Sequence, residues 1–254
     1  MKSLLVIASL LLPFSAFCQE DSEKRLIIWP RYDWTDTEFE NLAKSRLHNG
    51  DGLIMSYFAG MKDGFRSNRY AIEKRKVLLQ FPGLPEASQM EDFLLKKQNG
   101  IGGHFFEISN PSLNIDLNQT SLEEVIAKGE RLRAYQIFAI DYPTARKTAN
   151  LKLLASKVNA IALYPERTLT AKRKTVVSFI EKTASKLHEL NSELEIWLAF
   201  NMRAENNDLE EITSLLDNTP ASISGYIITF RHSPENVRSA SELLKRLRPS
   251  NDDS

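Results

Sequence analysis

The stretch Ala160-Ile161-Ala162-Leu163-Tyr164-Pro165-Glu166-Arg167 decides the fold. Its apolar first half does not alternate, so it reads as a short strand buried on both faces. Pro165, Glu166 and Arg167 then end the strand in polar groups. Downstream, Val176, Ile180, Ala184 and Leu187 recur at helical spacing and make one apolar face of a long helix. A second apolar run, Leu194–Phe200, starts the next unit. Strand, polar strand end, amphipathic helix and strand again is the repeat of a parallel sheet with crossover helices.

Working outward, the same unit recurs. Strands are expected at Leu26–Trp29, Leu53–Phe58, Val77–Phe81, His104–Ile108, Ile137–Ile140, Ala160–Tyr164, Leu194–Phe200 and Tyr226–Phe230. Helix starts lie between them. Thr35-Asp36-Thr37-Glu38 and Ser121-Leu122-Glu123-Glu124 are capping boxes, and Asp208 with Glu211 opens another helix. Ser233-Pro234-Glu235 opens the last one, which Leu243, Leu244 and Leu247 can dock. Such a repeat points to an α/β fold, a single (β/α)8 TIM barrel. An open doubly wound sheet is the main alternative, since the same alternation produces it. No glycine-rich phosphate loop follows any strand, and Gly100-Ile101-Gly102-Gly103 reads as a helix-stop turn.

Lys2, the apolar run Leu4–Leu12 and the segment Ser15-Ala16-Phe17-Cys18-Gln19 read as a cleaved secretory signal peptide. The apolar run is too short to span a bilayer. The expected domains are therefore a signal peptide over 1–18, the barrel over 19–248 and a polar tail over 249–254. Cys18 is the lone cysteine, and bulky Phe17 before it disfavours lipidation. A secreted or periplasmic location follows. The chain carries 33 basic and 33 acidic residues, so it has no global basic field to attract nucleic acid. No stable membrane insertion is expected after signal cleavage, and no cofactor is called for.

In a barrel the C-terminal ends of the strands converge on one rim, where chemistry is done. Acids end strands 4, 5 and 6: Glu107, Asp141 and Glu166. Arginines end strands 6, 7, 8 and 1: Arg167, Arg203, Arg231 and Arg31. The rim is thus expected to have an acidic half facing a basic half. Two carboxylates can hydrolyse a glycoside, one protonating the leaving group while the other activates water or attacks carbon. Glu107 lies in His104-Phe105-Phe106-Glu107-Ile108, the most apolar of the three settings. Burial there would favour its protonated form, so Glu107 is read as the acid and Asp141 or Glu166 as base or nucleophile. The arginines suit a carboxylate, sulfate or phosphate. Trp29, Tyr57, Tyr142 and Tyr164 could stack on sugars, with Asn110 and Asn201 as further substrate contacts. The alternative for acids and arginines alike is structural ion pairing, and for the aromatics plain packing.

On these strand ends the chain resembles secreted (β/α)8-barrel glycoside hydrolases, over the whole mature chain as architecture but without a specific motif. The resemblance implies an acid at the end of strand 4, which Glu107 matches. A common group of these enzymes also has a nucleophilic Glu ending strand 7, where this chain has Asn201. The repeated acids that chitinase-like barrels carry on strand 4 are missing. The expected ligand is a carbohydrate or another small anionic molecule. Two further readings stay open. One is a non-catalytic carbohydrate- or anion-binding barrel. The other is a Mg²⁺- or Ca²⁺-dependent lyase or phosphoester enzyme holding its ion on Glu107, Asp141 and Glu166. His48, His104, His188 and His232 show no zinc spacing.

Overall fold

The computed structural model describes residues 24–31, 37–56, 76–81, 83–85, 88, 90, 101–108, 119–145, 148–164, 173–202, 209–231 and 233–250. Eight strands form a closed parallel barrel in chain order: β1 (Arg25–Arg31), β2 (Gly52–Ser56), β3 (Lys76–Phe81), β4 (Ile101–Glu107), β5 (Tyr135–Asp141), β6 (Ala160–Tyr164), β7 (Glu195–Met202) and β8 (Ile223–Arg231). The ring closes through β1 and β8, paired without interruption from Arg25 opposite Gly225 to Arg31 opposite Arg231. Closure settles the architecture as a (β/α)8 barrel and rules out the open sheet.

The described helices are α1 (Thr37–Arg46), α2 (Gln119–Arg131), α3 (Tyr142–Ala145), α4 (Thr148–Lys157), α5 (Arg173–Leu190), α6 (Leu209–Asp217) and α7 (Pro234–Leu247). Val176, Ile180, Ala184 and Leu187 of α5 are all buried, as their spacing predicts. Ser233 caps α7, its hydroxyl oxygen accepting from the Asn236 N–H at 3.2 Å, with Pro234 in the first turn. Gln119 begins α2, so Ser121 lies inside its first turn instead of capping it.

Side chains alternate along each strand between the barrel axis and the helices. The outer set, including Leu26, Leu79, Phe106, Ile140, Leu198 and Ile228, joins the helices in one large core. The inner set, including Ile27, Trp29, Phe105, Ile137, Trp197 and Ile227, fills the barrel itself. Gly102 and Gly103, read from sequence as a turn, belong to β4. The reason lies next door on β5: a Cβ on Gly103 would collide with the Tyr135 carbonyl and the Leu78 side chain. Glycine here permits close strand approach, not a turn.

The mouth at the N-terminal ends of the strands is closed by a polar plug. Tyr135 Oη donates to Glu195 Oε2, and Trp197 Nε1 donates to Tyr135 Oη at 3.1 Å. Arg25 pairs with Glu195 at 2.7 Å and lies 4.8 Å from the Trp197 ring centroid. Burial and the adjacent Glu195 carboxylate raise the Tyr135 pKa above the usual phenol range, so Tyr135 stays a donor.

His104 lies on the outer face of β4, fully buried, with its ring centroid 5.8 Å from that of Phe81 and 5.9 Å from that of Phe106. Among the described residues neither ring nitrogen has a hydrogen-bond partner. Burial pushes its pKa down to about 4, so the ring is neutral at pH 7. As pH falls, the unfolded chain takes up this proton first, near its ordinary pKa of about 6.5. His104's contribution to stability is therefore whole above about pH 6.5, shrinks on acidification and is gone by the folded value of about 4. The loss amounts to roughly 3 kcal/mol. His104→Leu should remove that acid sensitivity and raise stability at pH 7 by about 1–2 kcal/mol, because two unsatisfied nitrogens leave the core. Urea unfolding at pH 7 and pH 5 reads both effects. Equal acid sensitivity in variant and parent would refute the assignment.

Candidate functional site at the C-terminal rim

Continuing the inner-facing series of each strand by two residues gives the axis-facing groups at its C-terminal end. Leu78 leads to Gln80, Phe105 to Glu107 and Ala139 to Asp141. On the far wall Ala199 leads to Asn201 and Ile227 to Thr229. β4 lies opposite β8 in an eight-stranded ring, so the acids and the Asn201–Thr229 pair occupy facing walls.

Glu107 is half-buried, and Gln80 Nε2 donates to its Oε2 at 3.2 Å. This amide from the neighbouring strand fixes one carboxylate oxygen of Glu107. Asp141 is buried, and its Oδ1 accepts from the Thr144 backbone N–H at 3.0 Å and from Thr144 Oγ1 at 2.7 Å. The chain turns into α3 directly after β5, and Asp141 caps that turn. Among the described residues Oδ2 of Asp141 takes no hydrogen bond. Glu107 registers with Ala139, so Asp141 stands two residues further along the adjacent strand. Strand spacing and rise put the two Cα atoms roughly 8 Å apart.

Trp29 and Tyr164 are buried at the top of the inner core, and the Trp29 ring meets Phe105 edge-on with centroids 4.8 Å apart. Both are packed beneath the rim and present no open stacking face. Asn201 is 2% exposed, and among the described residues neither its Oδ1 nor its Nδ2 has a hydrogen-bond partner. It registers with Thr229, which in turn registers with Trp29, so three strands align at this level. Arg31 and Arg231 are backbone partners at the ends of β1 and β8.

Several expected site residues lie outside the described residues: Tyr57, Asn110, Glu166, Arg167 and Arg203, and with them the signal peptide. The same holds for the side chains of Arg31, Tyr142 and Arg231. Gln80, Thr144 and Thr229 were not singled out by sequence. Counting by twos from the inner apolar residues would have found Gln80 and Thr229. Thr144 follows from the Asp-x-x-Thr spacing of a capped turn. Among the described residues, no group of three or more His, Cys, Asp or Glu could hold a metal ion, and no helix is long and apolar enough to cross a membrane.

The sequence matches no family model and no curated protein. Solved structures match through fold. Orotidine 5'-monophosphate decarboxylase from Methanocaldococcus jannaschii, in complex with the inhibitor BMP, is 13% identical over 89% of this chain and 99% of its own, with a TM-score of 0.53. An archaeal fructose-1,6-bisphosphate aldolase is 12% identical over 89% of this chain and 92% of its own, with a TM-score of 0.52. A glucosidase from Croceicoccus marinus is 8% identical over 71% of this chain and 52% of its own, with a TM-score of 0.50. At these identities the likeness is one of architecture alone, that of a (β/α)8 barrel.

Proposed function

We propose that this protein is a secreted barrel enzyme that acts on a small anionic, hydroxyl-rich ligand of the glycan class at its C-terminal rim. The observation that carries the reading is the paired setting of Glu107 and Asp141. They lie on adjacent strands and face the axis, each with one carboxylate oxygen held by a neighbouring donor. Fixed carboxylates on neighbouring strands suit general acid–base work. Glu107 serves as acid, and Asp141 or Glu166 as base or nucleophile. Arg31, Arg167, Arg203 and Arg231 supply the positive side of the rim for a carboxylate or phosphate. The fold is also that of an aldolase named for fructose-1,6-bisphosphate, an anionic sugar. Lys2 and the run Leu4–Leu12 support export, with the barrel over 19–248 as the working domain.

A second reading is a barrel that binds such a ligand without turning it over. Asn201 favours it, because a neutral amide ends β7 where a common glycosidase group has its nucleophile.

Thermal unfolding in the presence of glucuronate, ribose 5-phosphate, inorganic phosphate and glucose tests the shared core of both readings. A ligand at 100 times its dissociation constant adds about 2.7 kcal/mol to stability. The anionic sugars should raise Tm by several degrees, with glucose at most a fraction of that. An unchanged Tm with all four would contradict the proposal.

A further inference from the structure

We infer that Asn201 anchors a vicinal diol of the ligand, so that the wall made by β7, β8 and β1 reads hydroxyl groups while the β4–β5 wall carries the acids. The inference rests on the proposed rim site and adds which part of the ligand goes where.

A primary amide has one strong acceptor and two donors. Among the described residues both polar atoms of Asn201 are buried and unpartnered, whereas another buried amide, Gln136, donates to the Val125 carbonyl at 3.1 Å. Leaving such a group unsatisfied is costly, and unpaired buried polar groups are rare enough to need a cause. Asn201 is not a packing residue gone astray. It continues the axis-facing series Trp197, Ala199, Asn201, at the end of the strand where ligands bind in this fold. An apolar side chain of similar size would fit the same place without the penalty.

The chemistry that satisfies Oδ1 and Nδ2 together is a donor beside an acceptor on adjacent atoms. A vicinal pair of hydroxyls presents that edge, one donating to Oδ1 and the other accepting from Nδ2. A carboxylate or phosphate does not, because it only accepts and would leave Oδ1 facing an anion. The surroundings agree with a neutral, hydroxylated part of the ligand. Asn201 lies beside Thr229 in register, and Thr229 beside Trp29, none of them charged, while Arg31 and Arg231 follow two residues further along β1 and β8, where they would take the ligand's anionic group. Asn201, Thr229 and Trp29 are all buried at this level, so the ligand's hydroxyls must reach below the strand ends to meet the amide, with its reacting bond near Glu107. Because the amide is out of water, a ligand lacking one hydroxyl leaves a buried group unpaired, which makes the position selective.

The test uses the intact protein with ribose 5-phosphate and 2-deoxyribose 5-phosphate as probes, read by calorimetric titration, together with the Tm of the unliganded protein. The parent should bind the diol on the order of tenfold more tightly than its deoxy analogue. Asn201→Leu should bind both alike, near the parent's affinity for the deoxy probe. It should also raise the unliganded Tm by roughly 2–4 °C, because an unsatisfied amide has been removed. Should that variant fail to fold, Asn201→Ser keeps a polar group but withdraws the second hydrogen-bonding atom, and should equally lose the preference. Binding of both probes by the parent without preference overturns the diol inference and leaves the rim reading intact. So does a tenfold preference that survives in the variants. A lower unliganded Tm for Asn201→Leu overturns it too, since the amide would then be satisfied by a structural water. Binding of neither probe removes the rim reading and this inference with it.

Discussion

Asp51→Ala is expected to destabilise the fold by about 3–5 kcal/mol, because it leaves a buried guanidinium without its counter-charge. Asp51 sits at the entry to β2, 2% exposed. Its Oδ1 accepts from Arg248 Nη2 at 2.8 Å and from the Leu26 N–H at 2.7 Å. Its Oδ2 accepts from Arg248 Nε at 3.0 Å and from the His48 N–H at 2.8 Å. Arg248 Nη2 also donates to the Lys24 carbonyl at 2.8 Å. One carboxylate thus ties together the start of β1, the turn before β2 and the end of α7. These segments lie at the seam where first and last elements of the barrel meet. Exposed ion pairs are worth little, but this fork is buried and bidentate, and its removal strands two backbone donors as well. Urea denaturation should show the loss, and thermal melting a drop on the order of 10 °C. A loss under about 1 kcal/mol would show that the seam is held by packing alone.

Glu107→Gln should lower kcat by roughly 10²- to 10⁴-fold, the span usual for a positioned acid or base. The substitution is nearly isosteric, and its amide oxygen can still accept from Gln80 Nε2, so folding and ligand affinity should change little. What disappears is the transferable proton. Hydrolysis of methyl glucuronide, whose alkoxide leaving group must be protonated, with kcat and KM followed separately, distinguishes this from damage to binding. An unaltered kcat would place Glu107 among the structural pairs of the rim. Parent protein without turnover, yet with bound ligand, would favour the non-catalytic reading.

The strand–helix alternation carried the fold because parallel barrel strands are buried on both sides and read as plain apolar runs. Ala160–Tyr164 is matched to the residue, and Ile137–Ile140 lies within the observed Tyr135–Asp141. Strand ends were less legible where polar groups face the axis. Tyr135, Glu195 and Arg25 belong to strands because the plug at the N-terminal mouth satisfies them, and no local pattern announces that. Gly102 and Gly103 misread for a similar reason, since close approach to Tyr135 is a tertiary fact. At the rim, Glu107 and Asp141 were legible as strand-end acids, and the structure adds Gln80 and Thr144 as donors that hold them. Trp29 and Tyr164 looked like stacking faces because type alone cannot tell the top of a core from an open rim. Asp51 and Arg248 gave no signal at all. They are far apart in sequence, and only barrel closure brings them together.

In the proposed complex a small anionic, hydroxylated ligand sits on the rim between the β4–β5 acids and the β7–β8 wall. A crystal structure of the protein with ribose 5-phosphate tests it most directly. Density is expected at the C-terminal rim, with ligand hydroxyls within hydrogen-bond distance of Asn201 and the sugar reaching toward Glu107. A ligand bound only at the plugged N-terminal mouth or on the outer helices would contradict it.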